Sequence, residues 1–328
     1  MELNVRPLGR TLSVEPGANL LEALRTAEIP ISYSCMAGRC GVCRCKVVQG
    51  HLLAGNGELR QPLAGEGEQV LACQSTLTGP VSIEIPEPDE TVVHPARILK
   101  ATVAEISDET HDIRRILLGS AKRLDFEPGQ YATLQFGPDL VRPYSMAGLP
   151  GDEHLEFHVR LVPGGRVSPY VFEGLKVGDA VRVSGPLGAS YLRRKHTGPI
   201  LLVAGGTGLA PVLSILRGAL AAGMTNPIHL YFGVRTARDL YCVDRLRALA
   251  EAHPQITPHF VIAQGPVPSG MRGGLVTEAI AADRSSLEGF RTWLCGAPAM
   301  VEAATIVVKR LGIPLEHVYA DAFYSTSY

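Results

Sequence analysis

Four cysteines in the N-terminal quarter of the chain have the spacing of ligands for a metal cluster. Cys35, Cys40 and Cys43 follow one another as C-x4-C-x2-C, and Cys73 comes after 29 further residues. This is the plant-type spacing for a [2Fe–2S] cluster, in which four thiolates hold two irons. A zinc site is one alternative, although its motifs usually contain a second C-x2-C pair, which this chain lacks. Buried thiols without a ligand role are the other alternative, and the spacing favours the cluster.

The remaining cysteines are interpreted differently. The total of seven is odd, most of them are clustered, and the first ten residues contain no apolar export signal, so a disulfide framework is not expected. Cys45 and Cys242 are predicted to be small buried hydrophobic residues. Cys295 is followed by Gly296 and Pro298, and this C-G-x-P pattern favours a functional role over that of a buried thiol at a strand end.

Residues 162–169 (VPGGRVSP) could bind a phosphate group. Ser168 suits the cap of a helix and Pro169 its first position, and the free N–H groups of a helix start bind phosphates. An ordinary capped turn is the alternative. Shortly before this segment, Arg142 to Ser145 (RPYS) ends a predicted strand, where a surface arginine before a turn is the simpler explanation for the motif taken alone.

Residues 205–211 (GGTGLAP) join a predicted buried strand to a predicted helix. That context is typical of a turn that binds the phosphates of a dinucleotide. The segment departs from G-x-G-x-x-G because Pro211 stands in the place of the third glycine, a position in the first helical turn that tolerates proline. After the second strand, where NAD-specific sites usually present an acid, this chain has Arg235 and Arg238, which could accept a 2′-phosphate. We therefore predict use of NADH with appreciable activity on NADPH.

The elements that would position these residues fall into three predicted domains. Residues 1–90 contain 7 Lys and Arg against 11 Asp and Glu, and they end in the linker-like stretch PEPDE followed by His94-Pro95. Short strands near 3–6, 11–14, 46–49 and 81–85 and a helix near 20–27, capped by Asn19, are predicted for this acidic module. Residues 96–197 alternate with period two between regular turns, which predicts an antiparallel β-barrel. Residues 198–328 alternate strands with helices, which predicts a doubly wound parallel sheet.

Composition excludes several classes of function. The formal net charge is −1, so a chain-wide basic surface for nucleic acid is not expected. No apolar run reaches the ~18 residues needed to cross a bilayer. Together with the absence of an export signal, this predicts a cytoplasmic protein that acts neither on nucleic acid nor in a membrane.

Taken together, these motifs resemble the ferredoxin–NADP reductase superfamily with an N-terminal plant-type [2Fe–2S] domain. The stretches that carry the resemblance are residues 31–35, 38–40, 142–148, 205–211, 295–298 and 321–324, and it covers essentially the whole chain. The most similar group is the reductase components of aromatic-ring dioxygenase systems, of the naphthalene 1,2-dioxygenase type. The fold that this implies is a β-grasp ferredoxin domain of α+β class, an antiparallel β-barrel that binds FAD, and an α/β domain that binds NAD(P).

The resemblance also implies site residues. Arg142 would pair with the flavin phosphates, Tyr144 would lie against the isoalloxazine, and Ser145 would hydrogen-bond near N5. Residues expected to contact the flavin or the nicotinamide nucleotide are Arg142, Tyr144, Ser145, His158, Arg160, Gly165, Val167, Ser168, Gly205, Gly206, Thr207, Gly208, Pro211, Arg235, Gly296, Pro298 and Phe323. The residues expected to act in catalysis are Ser145, Cys295, which would lie near nicotinamide C4, and Phe323, which would cover the flavin. A frayed C-terminal tail is the alternative for Phe323.

The implied activity is that of an NAD(P)H-dependent ferredoxin reductase. Hydride would pass from NAD(P)H to FAD, and single electrons would then pass through the [2Fe–2S] cluster to a Rieske-type ferredoxin that serves the oxygenase. Plant-type clusters lie near about −400 mV and Rieske clusters at roughly −150 mV or above, which favours this direction. Direct delivery to a hydroxylase without a ferredoxin is the alternative within this class. A redox sensor without turnover is the alternative outside it, and the intact hydride-site motifs argue against that reading.

Overall fold

The structure is a computed structural model that describes residues 1–29, 31, 33, 38, 43–62, 67–85, 90, 92 and 94–324. The chain divides into two units: Met1–Thr91 with Pro314–Ala320, and Val92–Ile313 with Asp321–Tyr328. The second unit contains both the barrel and the parallel sheet. The predicted boundary between them near residue 197 stays a prediction.

The N-terminal unit contains a mixed sheet and one helix. Its elements are β1 (Glu2–Arg6), β2 (Arg10–Ser13), α1 (Leu20–Thr26), β3 (Arg44–Ala54), β4 (Leu59–Arg60), β5 (Glu68–Leu71) and β6 (Ser75–Glu84). The strand order is β2-β1-β6-β3-β4, and β5 also pairs with β3. Strands β1 and β6 run parallel, whereas the other pairs are antiparallel. The predicted α+β class is confirmed, and the predicted strands all form.

Helix α1 packs in the core of this unit, and its cap residue contacts the segment that contains the last cysteine of the predicted cluster site. The side chain of Asn19 accepts a hydrogen bond of 3.2 Å from the N–H of Glu22, as the predicted cap requires. Leucines at positions 20, 21 and 24 are buried in the core of this unit. The amide of Asn19 also donates to the carbonyl oxygen of Cys73 at 3.0 Å. The start of the helix therefore holds the backbone of a predicted ligand.

The barrel is formed by six antiparallel strands and one short helix. These are β7 (Arg97–Asp108), β8 (Ile113–Ser120), β9 (Tyr131–Gly137), β10 (Leu140–Ser145), β11 (Leu155–Arg160), α2 (Val167–Glu173) and β12 (Ala180–Leu187). They pair in the order β10-β9-β12-β7-β8-β11. A further antiparallel bridge between Met146 and Phe157 joins the region of β10 to β11, so the barrel is nearly closed. The predicted antiparallel barrel is confirmed.

The C-terminal part forms a parallel sheet with helical crossovers. Its elements are β13 (Ile200–Gly205), α3 (Leu209–Ala221), β14 (Ile228–Val234), α4 (Val243–Ala252), β15 (Ile256–Ile262), β16 (Arg272–Gly273), α5 (Val276–Asp283), β17 (Arg291–Gly296), α6 (Pro298–Arg310) and β18 (Val318–Ala322). Strands β16, β15, β14, β13 and β17 are neighbours in that order, and each pair is parallel. The predicted α/β class is confirmed.

The order of these strands predicts where a ligand would bind. The chain moves outward from β13 to β16 and then returns to the other side of β13 to form β17. In open α/β sheets, ligands bind beyond the carboxyl ends of the strands where this reversal occurs. That position lies between the ends of β13 and β17, where Gly205 and Gly296 stand. Among the described residues, we find no helix with the length and apolar character needed to cross a bilayer.

Candidate active site

Two of the four predicted cluster ligands lie side by side. Cys43 directly precedes β3, and Cys73 lies in a single helical turn between β5 and β6. The N–H of Cys73 donates to Cys43 Sγ at 3.5 Å, and both side chains are buried. The interaction with Cys43 and the N–H of Gly38 lower the pKa of Cys73 to about 6, although burial opposes this shift. A thiolate at this place is the form that binds iron. Cys35 and Cys40 lie outside the described residues.

The surroundings of Cys73 fit a cluster bound by thiolates. The side-chain amide of Gln74 donates to the carbonyl oxygen of Cys73 at 3.3 Å and to its Sγ at 3.9 Å. Gly38 has φ +78°, and a Cβ there would lie 2.7 Å from Cγ of Gln74, so the close approach requires glycine. Donors of this kind around ligand sulfurs tune a cluster. Cys45, by contrast, is buried in β3, and burial raises its pKa to about 12, as expected of a packed neutral thiol.

Strand β10 presents the residues of the predicted flavin site. Arg142 and Tyr144 are two positions apart and therefore share a face, whereas Ser145 ends the strand on the other face. Among the described residues, the guanidinium of Arg142 makes one hydrogen bond, of 2.9 Å, to the carbonyl oxygen of Val141. Most of its five donors are therefore available to an anion such as a nucleotide phosphate. Burial raises the pKa of Tyr144, so its ring stays neutral. This set of residues fits FAD.

The predicted phosphate turn is present, but its helix starts earlier than expected. Helix α2 begins at Val167 with Arg166 before it, so the prediction that Ser168 is the cap and Pro169 the first helical residue was wrong. The hydroxyl of Ser168 instead accepts a hydrogen bond of 2.9 Å from the N–H of Val162 and closes the turn. The side chain of Val167 is buried in the barrel core, so only its backbone could contact a ligand.

Gly165 lies inside this closed turn. A Cβ at Gly165 would lie 3.0 Å from the carbonyl oxygen of Val162 and 3.4 Å from Oγ of Ser168. A larger side chain would therefore push the turn open. Gly165 therefore keeps the turn closed, and its contact with the flavin pyrophosphate stays a prediction.

His158 does not present a free ring nitrogen to a ligand. The residue is 3% exposed, and its two ring nitrogens lie 3.0 Å from the carboxylate of Glu156 and 3.0 Å from the hydroxyl of Tyr241. His158 was expected to line the flavin cleft, but the structure places it in a buried polar network instead. Arg160 differs because its side chain is 40% exposed while its Nε donates to Asp112 at 2.8 Å.

The predicted dinucleotide turn lies at the carboxyl end of β13. Gly206 to Gly208 form one tight helical turn that leads into α3, and Pro211 lies in the first turn of that helix, as expected. A Cβ on Gly208 would lie 2.0 Å from the carbonyl oxygen of Cys295. Glycine is therefore required there because the turn packs directly on the end of β17. Thr207 is half-buried within the same turn.

The end of β17 is equally tight. Gly296 has φ +142°, and a Cβ there would lie 2.7 Å from the carbonyl oxygen of Gly205. Pro298 occupies the first position of α6. Cys295 is fully buried, and burial raises the pKa of its thiol well above the usual value. The close packing of the glycine turn on the end of β17 fits a nicotinamide nucleotide site, whereas a contact between the Cys295 thiol and the ring stays a prediction.

The C-terminal residues join these two sites. Phe323 donates its backbone N–H to the carbonyl oxygen of Gly296 at 2.9 Å, which argues against a frayed tail at this residue. The hydroxyl of Ser145 donates to Oδ2 of Asp321 at 3.0 Å. Burial raises the pKa of Asp321 to about 6, although the hydrogen bond from Ser145 opposes this shift. The negative charge of Asp321 in turn raises the pKa of Cys295 further.

Asp321 is a candidate site residue that the sequence reasoning did not single out. It stands in the stretch 321–324 that supports the resemblance, but a single acid near a chain end has no partner at a diagnostic spacing. Arg235 is found where it was expected, just after β14. It is exposed, and its carbonyl oxygen accepts a hydrogen bond of 2.8 Å from the N–H of Gln264.

Comparison with protein families matches all three parts of the chain. Residues 3–78 match a 2Fe-2S iron-sulfur cluster binding domain, residues 100–191 match an oxidoreductase FAD-binding domain, and residues 202–305 match an oxidoreductase NAD-binding domain. The cofactors expected from the sequence are therefore confirmed as a [2Fe–2S] cluster, FAD and NAD.

Relatives match the chain over almost its full length. A ferredoxin–NAD(P)+ reductase component of naphthalene 1,2-dioxygenase and salicylate 5-hydroxylase systems from Ralstonia sp. is 60% identical, over 99% of both chains. The corresponding component of a naphthalene 1,2-dioxygenase system from Pseudomonas putida is 58% identical, also over 99% of both chains.

Solved structures agree with these relatives. The Amycolatopsis cytochrome P450 reductase GcoB is 39% identical with a TM-score of 0.73, and it covers 98% of each chain. A ferredoxin reductase of carbazole 1,9a-dioxygenase is 26% identical with a TM-score of 0.68 at the same coverage. The resemblance seen in the sequence is confirmed: the chain belongs to the family of ferredoxin–NAD(P)+ reductase components that join a 2Fe-2S domain to FAD-binding and NAD-binding oxidoreductase domains.

Proposed function

We propose that this chain is the reductase component of an aromatic-ring dioxygenase system and that it delivers electrons to a small Rieske-type ferredoxin. The observation that carries the reductase activity is the link through Asp321, which accepts a hydrogen bond from Ser145 of the flavin strand and acts electrostatically on Cys295 of the nicotinamide strand. The names of the 60% and 58% identical relatives support the acceptor class. Such a reductase would act in the cytoplasm, where NAD(P)H is produced.

The bound groups supply the redox chemistry: FAD accepts a hydride and releases electrons singly, and a [2Fe–2S] cluster carries one electron at a time. The protein supplies binding and orientation. Arg142 and the turn that contains Gly165 and Ser168 would hold the flavin phosphates. Tyr144 would pack on the flavin ring, and Phe323, at the end of the chain, would cover it.

The nicotinamide nucleotide would be held by the tight turn at the end of β13. The free N–H groups of a turn that opens a helix bind phosphates, and the residues proposed for this role are Gly205, Gly206, Thr207 and Gly208. Cys295 and Gly296 would border the reacting ring. Arg235 would accept the 2′-phosphate of NADPH, so we propose that NADH and NADPH are both used.

Asp321 would orient Ser145. A hydroxyl that donates to a fixed carboxylate keeps its lone pairs directed elsewhere, and here they would face the flavin edge. With its pKa raised to about 6 by burial, Asp321 can also hold a proton near neutral pH, so the pair can change its donor pattern without moving.

A second candidate is supported by one observation. The Amycolatopsis relative, 39% identical to this chain, is named the reductase subunit of an aromatic O-demethylase, and the matching structure is titled a cytochrome P450 reductase. Direct transfer to an oxygenase, without a ferredoxin, would match that description. The higher identity of the ferredoxin reductases favours the proposal above.

Reconstitution separates the two candidates. The purified chain is mixed with NADH and a purified naphthalene-type oxygenase, with and without the Rieske ferredoxin of that system, and formation of the dihydrodiol product is measured. We expect product only when the ferredoxin is present. Equal product without it would overturn the proposed acceptor and favour direct transfer.

A further inference from the structure

A buried polar network runs from the flavin barrel to the nucleotide turn. Glu156 and His158 on strand β11 begin it, and Tyr241 and Arg245, which lie just before and within α4, continue it. His158 and Tyr241 are 3% and 4% exposed. Glu156 and His158 belong to the barrel, whereas Tyr241 and Arg245 lie in a loop and a helix of the C-terminal part, so the network joins these two parts through side chains.

The carboxylate of Glu156 fixes the orientation of the His158 ring. Burial alone would raise the pKa of Glu156, but hydrogen bonds from His158 and Arg245 lower it to about 2. An ionised carboxylate only accepts hydrogen bonds, so His158 Nε2 donates to Glu156 Oε1 at 3.0 Å, and Arg245 donates to the same oxygen at 3.0 Å. The other ring nitrogen, Nδ1, lies 3.0 Å from the hydroxyl of Tyr241. When Nδ1–H donates to this oxygen, the single hydroxyl proton of Tyr241 is left for a further acceptor.

Tyr241 also contacts the backbone of the turn proposed to bind the nucleotide. Its hydroxyl donates to the carbonyl oxygen of Gly206 at 3.5 Å. Its ring is held edge-on between His158 and Phe232, with ring centres 5.3 Å and 5.7 Å away. Arg160, also on β11, approaches the same glycine, because a Cβ on Gly206 would lie 3.2 Å from its guanidinium. Arg160 of the barrel and Tyr241 of the C-terminal part therefore both approach Gly206.

The peptide that joins Gly206 to Thr207 couples the directions of two polar groups. In a trans peptide, the carbonyl oxygen of one residue and the N–H of the next point in opposite directions within one plane. Fixing the Gly206 carbonyl therefore also fixes the direction of the Thr207 N–H. The Gly206 carbonyl oxygen also accepts the N–H of Leu209 within the turn, so Tyr241 adds a side-chain contact to a backbone one.

We propose that His158 and Tyr241 are positioning residues for the pyridine nucleotide: they hold the Gly206 carbonyl and thereby aim the Thr207 N–H at the nucleotide phosphates. This inference rests on the proposed function, in that it takes the turn of residues 205–208 to be the nucleotide site. It adds that strand β11 of the flavin barrel sets the geometry of that site.

A purely structural role for the network makes a different prediction, and Tyr231 provides the matched control. Tyr231 lies in β14 of the same sheet, and its hydroxyl donates to Oδ2 of Asp283 at 2.9 Å. Tyr231→Phe and Tyr241→Phe each remove one buried hydroxyl with its hydrogen bonds and keep the ring. Both should lower the melting temperature, but only Tyr241→Phe should alter nucleotide binding if the inference holds.

The experiment measures binding of NAD+ to FAD-loaded protein by isothermal titration calorimetry, with flavin content and melting temperature as companion readouts. Loss of one hydrogen bond corresponds to a factor of roughly 3 to 10 in affinity, so Kd for NAD+ should rise by about that much in Tyr241→Phe and stay unchanged in Tyr231→Phe. His158→Gln, which keeps a donor toward Glu156 but lacks Nδ1, should show a smaller rise and serves if Tyr241→Phe fails to fold.

Two outcomes would overturn the inference: a Kd in both Tyr241→Phe and His158→Gln equal to that of the unmodified protein, or an equal rise in Tyr231→Phe. Failure of the proposed function appears separately, because then the unmodified protein itself would not bind NAD+.

Discussion

The Ser145 hydroxyl donates a hydrogen bond of 3.0 Å to Oδ2 of Asp321, and the two residues stand 176 positions apart in the chain. Ser145 ends strand β10 of the barrel, whereas Asp321 lies near the end of the chain, two residues before Phe323. The backbone N–H of Phe323 in turn donates a hydrogen bond to the carbonyl oxygen of Gly296 at the end of β17. Residues 321–323 therefore connect strand β10 of the barrel to strand β17 of the parallel sheet.

Removing the carboxylate of Asp321 should slow hydride transfer while leaving cofactor binding intact. In Asp321→Asn, an amide that can donate as well as accept replaces the carboxylate, so the orientation of the Ser145 hydroxyl is no longer fixed. Misorientation near a reacting centre costs roughly 10- to 100-fold in rate. The rate of flavin reduction by NADH is measured by anaerobic stopped-flow spectroscopy. Asp283→Asn is the control because Asp283 also accepts a hydrogen bond from a hydroxyl, that of Tyr231, and it should react at the unmodified rate. An unchanged rate in Asp321→Asn would remove Asp321 from the mechanism.

The raised pKa of Asp321 predicts how stability changes with pH. Burial raises this pKa from 3.8 to about 6, so between these values the folded protein binds the proton more tightly than the unfolded chain. The stabilisation is complete below about pH 4 and is lost as pH rises through about 6. The melting temperature of Asp321→Asn, relative to the unmodified protein, should therefore increase between pH 4.5 and 7 and then level off. A difference that is constant with pH would show that the carboxyl titrates normally.

Loss of a cluster ligand should leave the flavin reaction intact. Cys43→Ser removes one of the two described thiols of the cluster site, so visible absorbance of the cluster and electron transfer to one-electron protein acceptors should disappear. Reduction of ferricyanide by NADH should survive because the flavin and nicotinamide residues belong to the other unit. Cys45→Ala is the control, since Cys45 is a buried thiol in β3, and it should keep the cluster spectrum. Loss of ferricyanide activity in folded, FAD-loaded Cys43→Ser would contradict the modular layout.

The tight packing at Gly208 predicts a steric block of the nucleotide site. In Gly208→Ala, the new Cβ would lie 2.0 Å from the carbonyl oxygen of Cys295, and relief of such a clash requires backbone movement that costs about 1–3 kcal/mol. We expect a lower melting temperature and NAD+ binding weakened at least roughly 10-fold. Gly151→Ala should change neither, because no atom lies within 4 Å of a Cβ at that position. Normal binding by Gly208→Ala would show that the turn tolerates displacement.

Exposed arginines after β14 should set the preference between the two nicotinamide nucleotides. Arg235→Ala removes a cation that can pair with a 2′-phosphate, so kcat/KM for NADPH should fall by roughly 10-fold while that for NADH stays within about 2-fold. Arg238→Ala tests the neighbouring exposed arginine in the same assay. An equal loss with both nucleotides would show that Arg235 acts on binding in general rather than on the phosphate.

Much of this architecture is encoded locally and could be predicted from the sequence. Residues 200–204 are apolar throughout because β13 is buried on both faces, and Asn19 caps α1 through its own side chain. The cysteine spacing likewise identifies Cys43 and Cys73 as candidate cluster ligands without a structure. These features depend on neighbours within the same element or on ligand geometry that is fixed by chemistry.

The incorrect or missing predictions depend on distant residues. His158 lies in strand β11, as predicted. Its buried partner Tyr241 lies 83 positions further along the chain, and no local sequence pattern indicates that contact. Ser168 has the type of a cap residue, yet its hydroxyl closes a turn back to Val162, and α2 starts two residues earlier than that cap would allow. Asp321 gains its role only when the chain end returns to β10.

An anaerobic titration with NADH, followed by visible and EPR spectroscopy, tests the central claim most directly. The account predicts that NADH bleaches the flavin absorbance and that the EPR signal of a reduced [2Fe–2S] cluster appears in the same protein. Protein that is loaded with FAD and iron and is bleached by NADH, yet never shows the cluster signal, would contradict the claim that electrons pass from the nicotinamide site to the N-terminal cysteines.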